Sequence, residues 1–190
     1  MTNTKLRARL TKINACSDAL RWLGDRDAKA MYNDCKRGDW LIWLAIRLPN
    51  IDENKLHLLA CDIARTVLPI YENQYPNDDR PRKAIEAKEA WVRGEINDEQ
   101  LSAARDAAKA AAYAMTARAA EWAARAAEWA AGYAAGYVAE SAADAAGYAA
   151  GYVAAADRAA ADVAKAHKQH ANLFRARISY EEIEKGLEAL

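Results

Sequence analysis

The chain contains little proline, little cysteine and a single phenylalanine. The scarcity of proline and cysteine limits the possible fold and the compartment of the protein. Only four prolines occur among 190 residues and none follows Pro81, so no proline interrupts a helix in the C-terminal half. The three cysteines are an odd number at wide spacing, which predicts reduced thiols in a cytoplasmic protein. No segment alternates polar and apolar residues as a half-buried strand does, so we predict an all-α fold.

Net charge and long apolar runs are also missing. Lysine plus arginine and aspartate plus glutamate both total 27, and the resulting net charge of zero argues against nucleic acid as a partner. The N-terminus has no apolar signal-like region. The longest uncharged runs in the alanine-rich region, 129–139 and 145–156, are shorter than the about 18–20 residues of a membrane span. We therefore expect no membrane partner.

Alanine dominates residues 102–165 and is interrupted there by repeated motifs. A heptad over Arg118–Ala124 recurs directly at Arg125–Ala131, and Gly132–Ala139 recurs at Gly147–Ala154. Alanine is the strongest helix former, but one helix over residues 101–170 would be about 105 Å long. A compact domain of this size is on the order of 40 Å across, so we predict that the region folds back as a helical hairpin.

Aromatic side chains recur through the alanine-rich region. On a helical wheel the first four fall within about 80° of one another, and the last two form a second pair. These residues form what we term the aromatic seam: Trp122, Trp129, Tyr133, Tyr137, Tyr148 and Tyr152. Such a seam suits the core of a bundle, a groove for a flat ligand or partner helix, or the interface of a homo-oligomer.

We predict a single helical domain over 1–190, organised in three parts. The first part, 5–96, is rich in leucine and tryptophan and must supply most of the core, because alanine buries little area. The alanine-rich hairpin over 97–170 follows. A closing helix over 179–189 begins with a capping-box pattern.

Several helix boundaries can be predicted within the first part. The apolar spacing indicates helices over 5–23 and 26–36. Asp39 is expected to cap an apolar, central buried helix that starts at Trp40. The next helix should start after Asp52, and a proline at position 69 should kink it or end it early.

Residues 74–82 form one clear irregular connection, and its arginines suggest an anion site. Arg80 and Arg82 flank the start of the following helix, where free N–H groups and the helix dipole favour a phosphate or carboxylate. In the alternative interpretation, neighbouring carboxylates pair with the two arginines and pin the loop. These carboxylates belong to Asp78, Asp79 and Glu86.

No pattern of catalytic or metal-binding residues stands out. His57 with Cys61 and His167 with His170 have metal-ligand spacing, whereas a structural zinc site needs four ligands. No phosphate-binding glycine loop, Ser/His/Asp set or Cys/His set stands out. We therefore predict no catalytic residue, no metal and no cofactor, and hence no enzyme.

Three segments together carry a family resemblance: Asp39–Leu44, Cys61–Arg65 and Tyr75–Ile96. They resemble the immunity proteins of bacterial polymorphic toxin systems, a family also found in phage, in which an alanine-rich region with periodic tyrosine and tryptophan is typical. The resemblance extends over most of residues 15–165. It implies an all-helical, non-enzymatic protein that neutralises a toxic factor, and it identifies no binding residues.

Three functions follow as hypotheses. In the first, the protein is an immunity or counter-defence inhibitor that caps a protein toxin or effector with an exposed helical face. In the second, it sequesters a small anionic, nucleotide-type signal, with arginine on the phosphate and aromatic rings on the base. In the third, it is a structural or oligomerisation protein. The candidate binding residues are Arg80, Arg82, Glu86 and Trp91 together with the aromatic seam.

Overall fold

In the computed structural model, the backbone is described for residues 1–113 and 160–190, and the side chains for 1–111 and 164–190. This part of the chain contains nine helices and no strand, which confirms the predicted all-α fold. Within it, no helix combines the length and apolarity needed to cross a membrane. The helices are α1 (Asn3–Lys12), α2 (Ser17–Leu23), α3 (Ala28–Asp34), α4 (Gly38–Ala45), α5 (Glu53–Gln74), α6 (Arg80–Val92), α7 (Asp98–Tyr113), α8 (Ala160–Arg177) and α9 (Tyr180–Ala189).

The predicted helix over 5–23 is in fact two helices, α1 and α2. The chain breaks at Asn14, which has a positive φ of 62°. Asparagine tolerates this left-handed conformation better than most residues, so it can end α1 and redirect the chain. The apolar spacing continues across the break because both helices pack on the same core.

The start of α4 differs from the prediction that Asp39 is its cap. Arg37 is the capping position, and Asp39 lies in the first turn. The Asp39 carboxylate accepts a hydrogen bond from the Arg37 Nε at 2.8 Å, so this side chain pairs with the residue at the capping position. Trp40 and Trp43 are only half-buried, so α4 is less enclosed than its apolar sequence suggested.

Helix α5 forms the centre of the fold. Asp52 caps it as predicted, accepting a hydrogen bond from the backbone N–H of Asn54 at 2.9 Å. The helix continues past Pro69 to Gln74, so the expectation of an early end is wrong. Pro69 is exposed, whereas its neighbours Leu68 and Tyr71 are buried, and their burial holds the last turns in place.

The main core surrounds α5 and brings both ends of the chain together. It includes buried residues from α1, α3, α4, α5, α8 and α9, among them Leu6, Leu41, Ile63, Phe174 and Ile183. A smaller cluster lies between α6 and α7 and consists of Ala84, Leu101 and Ala108. The Met1 amino group pairs with Glu184 of α9 at 2.6 Å, so the N-terminus is held by the last helix.

Helix α8 approaches α4 very closely. A Cβ on Gly38 would lie 2.5 Å from the Cβ of His170 and 2.8 Å from the backbone nitrogen of Ala171. The guanidinium of Arg175 donates hydrogen bonds to the carbonyl oxygens of Tyr32, at 2.9 Å, and of Cys35. These contacts fasten α8 to the connection between α3 and α4.

Two capping boxes occur among the described helices, and the one at the start of α9 was predicted from the sequence. Ser179 and Glu182 form the reciprocal pair that starts α9. Asn97 and Gln100 exchange hydrogen bonds of 2.9 and 3.0 Å at the start of α7. The predicted alanine-rich hairpin over 97–170 lies mostly outside the described residues and stays a prediction, as do the single-domain boundaries 1–190, 5–96 and 179–189.

Candidate functional site

Arg80 lies in a closed hydrogen-bond network at the start of α6. Its guanidinium donates to both oxygens of Asp78, Nε to Oδ1 at 2.8 Å and Nη2 to Oδ2 at 2.5 Å. The Tyr71 hydroxyl donates to the same carboxylate at 2.6 Å. The hydrogen bonds from Arg80 hold the pKa of Asp78 well below its usual range, whereas burial and the Asp78 carboxylate raise the pKa of Tyr71.

Arg82 is paired across the α5–α6 connection with Glu72. The Nε lies 2.6 Å from Oε1 and the Nη2 lies 2.7 Å from Oε2. Lys83 pairs with Asp79 at 2.9 Å, and Glu86 is exposed on α6. Both arginines thus bind carboxylates of the chain, as in the pinned-loop interpretation, although Arg82 pairs with Glu72 and not with Asp79 or Glu86.

Trp91 belongs to a partly buried polar cluster between α5, α6 and the start of α7. Its indole N–H donates to Asp98 at 2.7 Å, and its ring packs edge-on against His57 with the centroids 5.2 Å apart. The side chain of Lys88 is fully buried, and its Nζ lies 4.1 Å from the Trp91 ring centroid. Burial lowers the pKa of Lys88 to about 8, and burial together with the Lys88 charge lowers the pKa of His57 to about 3.

The six residues of the aromatic seam lie outside the part of the chain that the structure describes. Their roles as core, groove or interface therefore stay predictions, as does a nucleotide held jointly by the seam and the arginines. The other four candidate binding residues are placed, and all lie on α6: Arg80, Arg82, Glu86 and Trp91.

The His/Cys pairs with metal-ligand spacing lie among the residues whose side chains are described. Within residues whose side chains are described, no three His, Cys, Asp or Glu residues come together in a way that could hold a metal. The Cys61 thiol is directed at the Ile85 carbonyl oxygen, 3.9 Å away, and burial raises its pKa to about 12. His167 lies 3.3 Å from Asp39, while His170 is buried against α4.

An open apolar pocket of about 350 Å³ lies between the end of α1, α2, α3 and α4. We term it the tryptophan pocket because three half-buried tryptophans line it, namely Trp22, Trp40 and Trp43. Trp22 and Trp40 meet edge to face, with ring centroids 6.0 Å apart. The rest of the apolar wall includes Leu10, Ala19, Leu23, Met31, Leu41 and Leu44.

An arginine stacks on each of these three tryptophans. The guanidinium carbons of Arg26 and Arg37 each lie 4.6 Å from the centroids of Trp22 and Trp40, respectively. The guanidinium carbon of Arg47 lies 4.2 Å from the centroid of Trp43. Three cations thus lie beside the apolar pocket, since arginine binds the electron-rich face of tryptophan. Among the residues whose side chains are described, Asp39 is the one charged residue that lines the pocket itself, and its carboxylate pairs with Arg37.

A second, polar depression of about 520 Å³ adjoins the tryptophan pocket, and Trp22 and Cys35 line both. It lies between α8 and the connection from α3 to α4. We term it the basic groove because its charged lining residues are Arg26, Lys36, Arg37, Lys168 and Arg175 against a single acid, Asp34.

Sequence reasoning missed both depressions. The apolar sequence of α4 predicted a central buried helix, so its tryptophans were expected in the core. Residue spacing shows that a helix face is apolar, but it does not show how much of that face the neighbouring helices cover. One signal was present, namely the locally basic first fifty residues. Lys168 and Arg175 could not be associated with them from sequence, because α8 follows more than a hundred residues later.

The segments that carry the family resemblance join helices to one another. In the Cys61–Arg65 segment, Asp62 pairs with Arg177 of α8 at 2.7 Å, and Arg65 pairs with Glu89 of α6 at 2.8 Å. In the Tyr75–Ile96 segment, Arg80 is held by Asp78. These three ion pairs therefore help to maintain the fold.

Comparison with protein families gives a match that covers most of the chain. The family described as "Imm-5 like putative immunity protein" matches residues 48–176, from the connection before α5 into the last turn of α8. No curated protein and no solved structure matches at a significant level. The residues of the tryptophan pocket, which fall within 10–44, precede the matched part. The match spans more than half of the length of this chain, and the chain therefore belongs to the Imm-5 like immunity protein family.

Proposed function

We propose that this protein neutralises a protein toxin by binding to it one-to-one, without chemistry. The observation that carries the proposal is the family membership, since a family of immunity proteins matches residues 48–176. Such a family implies a protein toxin as the partner. The setting that we propose is a bacterial polymorphic toxin system, or a phage that counters such a factor, with the protein acting in the cytoplasm.

The arrangement of reactive groups supports binding more than catalysis. The Cys61 thiol is buried, with a pKa raised to about 12, so it is a poor nucleophile. The arginines of the α6 loop are engaged with Asp78 and Glu72. The tryptophan pocket and the basic groove, by contrast, offer apolar and charged surface to a partner.

The alternative function, sequestration of a nucleotide-type ligand, has less support than toxin binding, because the two arginines expected to bind its phosphate are already paired. Arg80 and Arg82 each make two hydrogen bonds to one carboxylate, and both carboxylates are mostly buried. An incoming phosphate would have to displace these bidentate pairs, which are the strong kind of ionic hydrogen bond. We therefore retain the protein-toxin function as the proposal.

The test is co-expression of the protein with a panel of toxin domains from polymorphic toxin systems in a bacterial host. We expect it to restore growth against one toxin class, whereas an unrelated helical protein at the same level does not. Titration of that purified toxin should then reach full inhibition at one equivalent. Inhibition by a small fraction of an equivalent would indicate catalysis and contradict the proposal.

Native mass spectrometry of the purified protein addresses the alternative. The protein is measured intact and again after denaturation. A nucleotide-sized mass released by denaturation, together with failure to restore growth against every toxin, would favour sequestration of a small ligand over the proposed function.

A further inference from the structure

We propose that the tryptophan pocket and the basic groove together form the docking site for the toxin, and that they receive an acidic segment bearing one large apolar side chain. This inference rests on the proposed function and adds the chemistry of the partner. It concerns a surface that the family match does not cover in full, because the pocket residues precede residue 48.

The size and lining of the pocket suit a single anchoring side chain. Its volume of about 350 Å³ is near the lower end of the roughly 300–1,000 Å³ range of small-ligand sites. Trp22, Trp40 and Trp43 remain half-buried, so their rings are open to a partner. Aromatic side chains in partly enclosed pockets are where interfaces concentrate their binding energy.

The distribution of charge favours a protein segment over a free small molecule. Small-ligand sites place a few polar groups among the apolar walls, where they orient the ligand. Here the arginines lie outside the pocket, with Arg26 and Arg37 stacked on Trp22 and Trp40, and Asp39 is the one charged residue among the described lining residues. An apolar centre within a polar rim is the usual anatomy of a protein interface.

The charge of the basic groove specifies an acidic partner. Among its lining residues, Arg26 faces Asp34 at 3.6 Å, and Arg175 donates to backbone carbonyls. Lys36 and Lys168 are exposed and pair with no carboxylate among the residues whose side chains are described. Five cations and one acid line the groove, and Arg37 is already paired with Asp39. A positive excess therefore remains at Lys36 and Lys168, which a partner carboxylate would neutralise.

The two depressions are contiguous, so one segment can occupy both. Trp22 and Cys35 line the pocket as well as the groove, and the Arg26 guanidinium lies over the Trp22 ring. A large apolar side chain seated in the pocket would place its flanking residues over the rim. Acidic residues on one flank would then lie along Lys36 and Lys168.

The first test uses a heptapeptide with phenylalanine at its centre and glutamate or aspartate at the other positions. Binding is followed by the NMR signals of the indole N–H groups. We expect saturable shifts of the Trp22, Trp40 and Trp43 signals, while Trp91, bonded to Asp98, stays unchanged. The same peptide with glycine for phenylalanine, or lysine for the acids, should bind at least about tenfold more weakly. Equal binding of the basic peptide, or no saturable shift, would overturn the inference.

Two variants of the full chain separate docking from folding. Ala19→Trp fills the pocket without removing any existing contact, and Ala8→Trp, at an exposed position of α1, is its control. Lys36→Glu combined with Lys168→Glu reverses the exposed charge of the groove, and Lys5→Glu combined with Lys185→Glu is its control. We expect each test variant to weaken peptide and toxin binding at least about tenfold, with unchanged thermal unfolding and unaffected controls.

The toxin assay distinguishes failure of this inference from failure of the proposed function. If both test variants inhibit the toxin as well as the wild type does, the docking site lies elsewhere and the proposed function stands. If the wild-type protein inhibits no toxin, the proposed function fails. A wild-type dimer that Ala19→Trp converts to a monomer would instead assign the pocket to a second copy of this chain and overturn the inference.

Discussion

The carboxylate of Asp62 accepts two hydrogen bonds from the guanidinium of Arg177, at 2.7 and 2.9 Å. The two residues are 115 positions apart, and their pairing joins the central helix α5 to α8. Both side chains are about two-thirds or more buried, so water screens the pair less than it screens a surface ion pair. Asp62 lies in a segment that carries the family resemblance. Its ion pair with Arg177 gives it a structural role there, because the pair joins two helices.

A double-mutant cycle with Asp62→Ala and Arg177→Ala should therefore give a measurable coupling. We expect a coupling free energy of about 1 kcal/mol, toward the upper end of the range for exposed pairs. Urea unfolding of the four proteins provides the measurement. Strict additivity of the two substitutions would show that the pair contributes nothing to the attachment of α8.

Gly38→Ala should destabilise the protein by about 1–3 kcal/mol, because the added methyl group overpacks the contact between α4 and α8. The new Cβ would lie 2.5 Å from the Cβ of His170. Gly94→Ala is the control: it has no atoms within 4 Å of the new Cβ, and only its positive φ of 75° opposes the change. Thermal unfolding should rank Gly38→Ala as the more damaging substitution, and the reverse order would contradict the close approach.

Arg80→Ala should lower the free energy of unfolding more than Arg82→Ala does. Without Arg80, the mostly buried Asp78 carboxylate would keep only the Tyr71 hydroxyl and a backbone N–H as partners. The expected loss is about 1–2 kcal/mol, as for a hydrogen bond to a charged group. Toxin inhibition at saturating concentration should be retained. A loss of inhibition by either variant, with folding intact, would return the α6 loop to the candidate binding site.

Stability should fall as the pH is lowered from about 6.5 toward 4. Burial, with a contribution from His167, lowers the pKa of His170 to about 4 from an ordinary value of 6.5. Between these values the unfolded chain binds more protons than the folded one, so the free energy of unfolding decreases with falling pH. The contribution of His170 is up to about 3 kcal/mol.

Urea unfolding at several pH values between 4.5 and 7.5 measures this dependence. His170→Gln should be less stable than the wild type at neutral pH but should show a flatter pH profile. His57, with a pKa lowered to about 3, leaves a residual slope in that variant. An identical slope in wild type and variant would exclude His170 as a source.

Thiol reagents should modify one cysteine in the folded protein and three after unfolding. Cys16 is exposed at the tryptophan pocket, whereas Cys35 and Cys61 are buried. Burial also raises the pKa values of Cys35 and Cys61, so the fraction of reactive thiolate is small. Mass spectrometry counts the modified sites. Rapid modification of Cys61 under native conditions would show that α5 and α6 separate readily.

Much of the secondary structure was predictable from local signals. The caps at Asp52 and Ser179, the first-turn Pro81 and the positive φ of Gly94 all follow from residues within one helical turn. The failures were at Asn14, Asp39 and Pro69. The positive φ of Asn14 ended α1, the pairing of Asp39 with Arg37 accompanied an earlier start of α4, and the burial of the neighbours of Pro69 kept α5 continuous.

The candidate site was predictable only in part. Arg80 and Arg82 were identified from the sequence as cations near a helix start. The partner of Arg82 was not, because it is Glu72 on α5, ten positions earlier. The tryptophan pocket and the basic groove were missed, because the first depends on how α2 packs beside α4. The second depends on α8 bringing Lys168 and Arg175 beside Arg37.

The sequence by itself determined that the chain is helical, where most described helices begin, and which family it resembles. These properties depend on residue spacing and on hydrogen bonds between near neighbours, and both can be read from the order of residues. Only the tertiary structure decided which cations are already paired, how closely α4 approaches α8, and where tryptophan surface stays open. Those outcomes depend on contacts between residues far apart in the chain, such as Asp62 with Arg177, which no local pattern specifies.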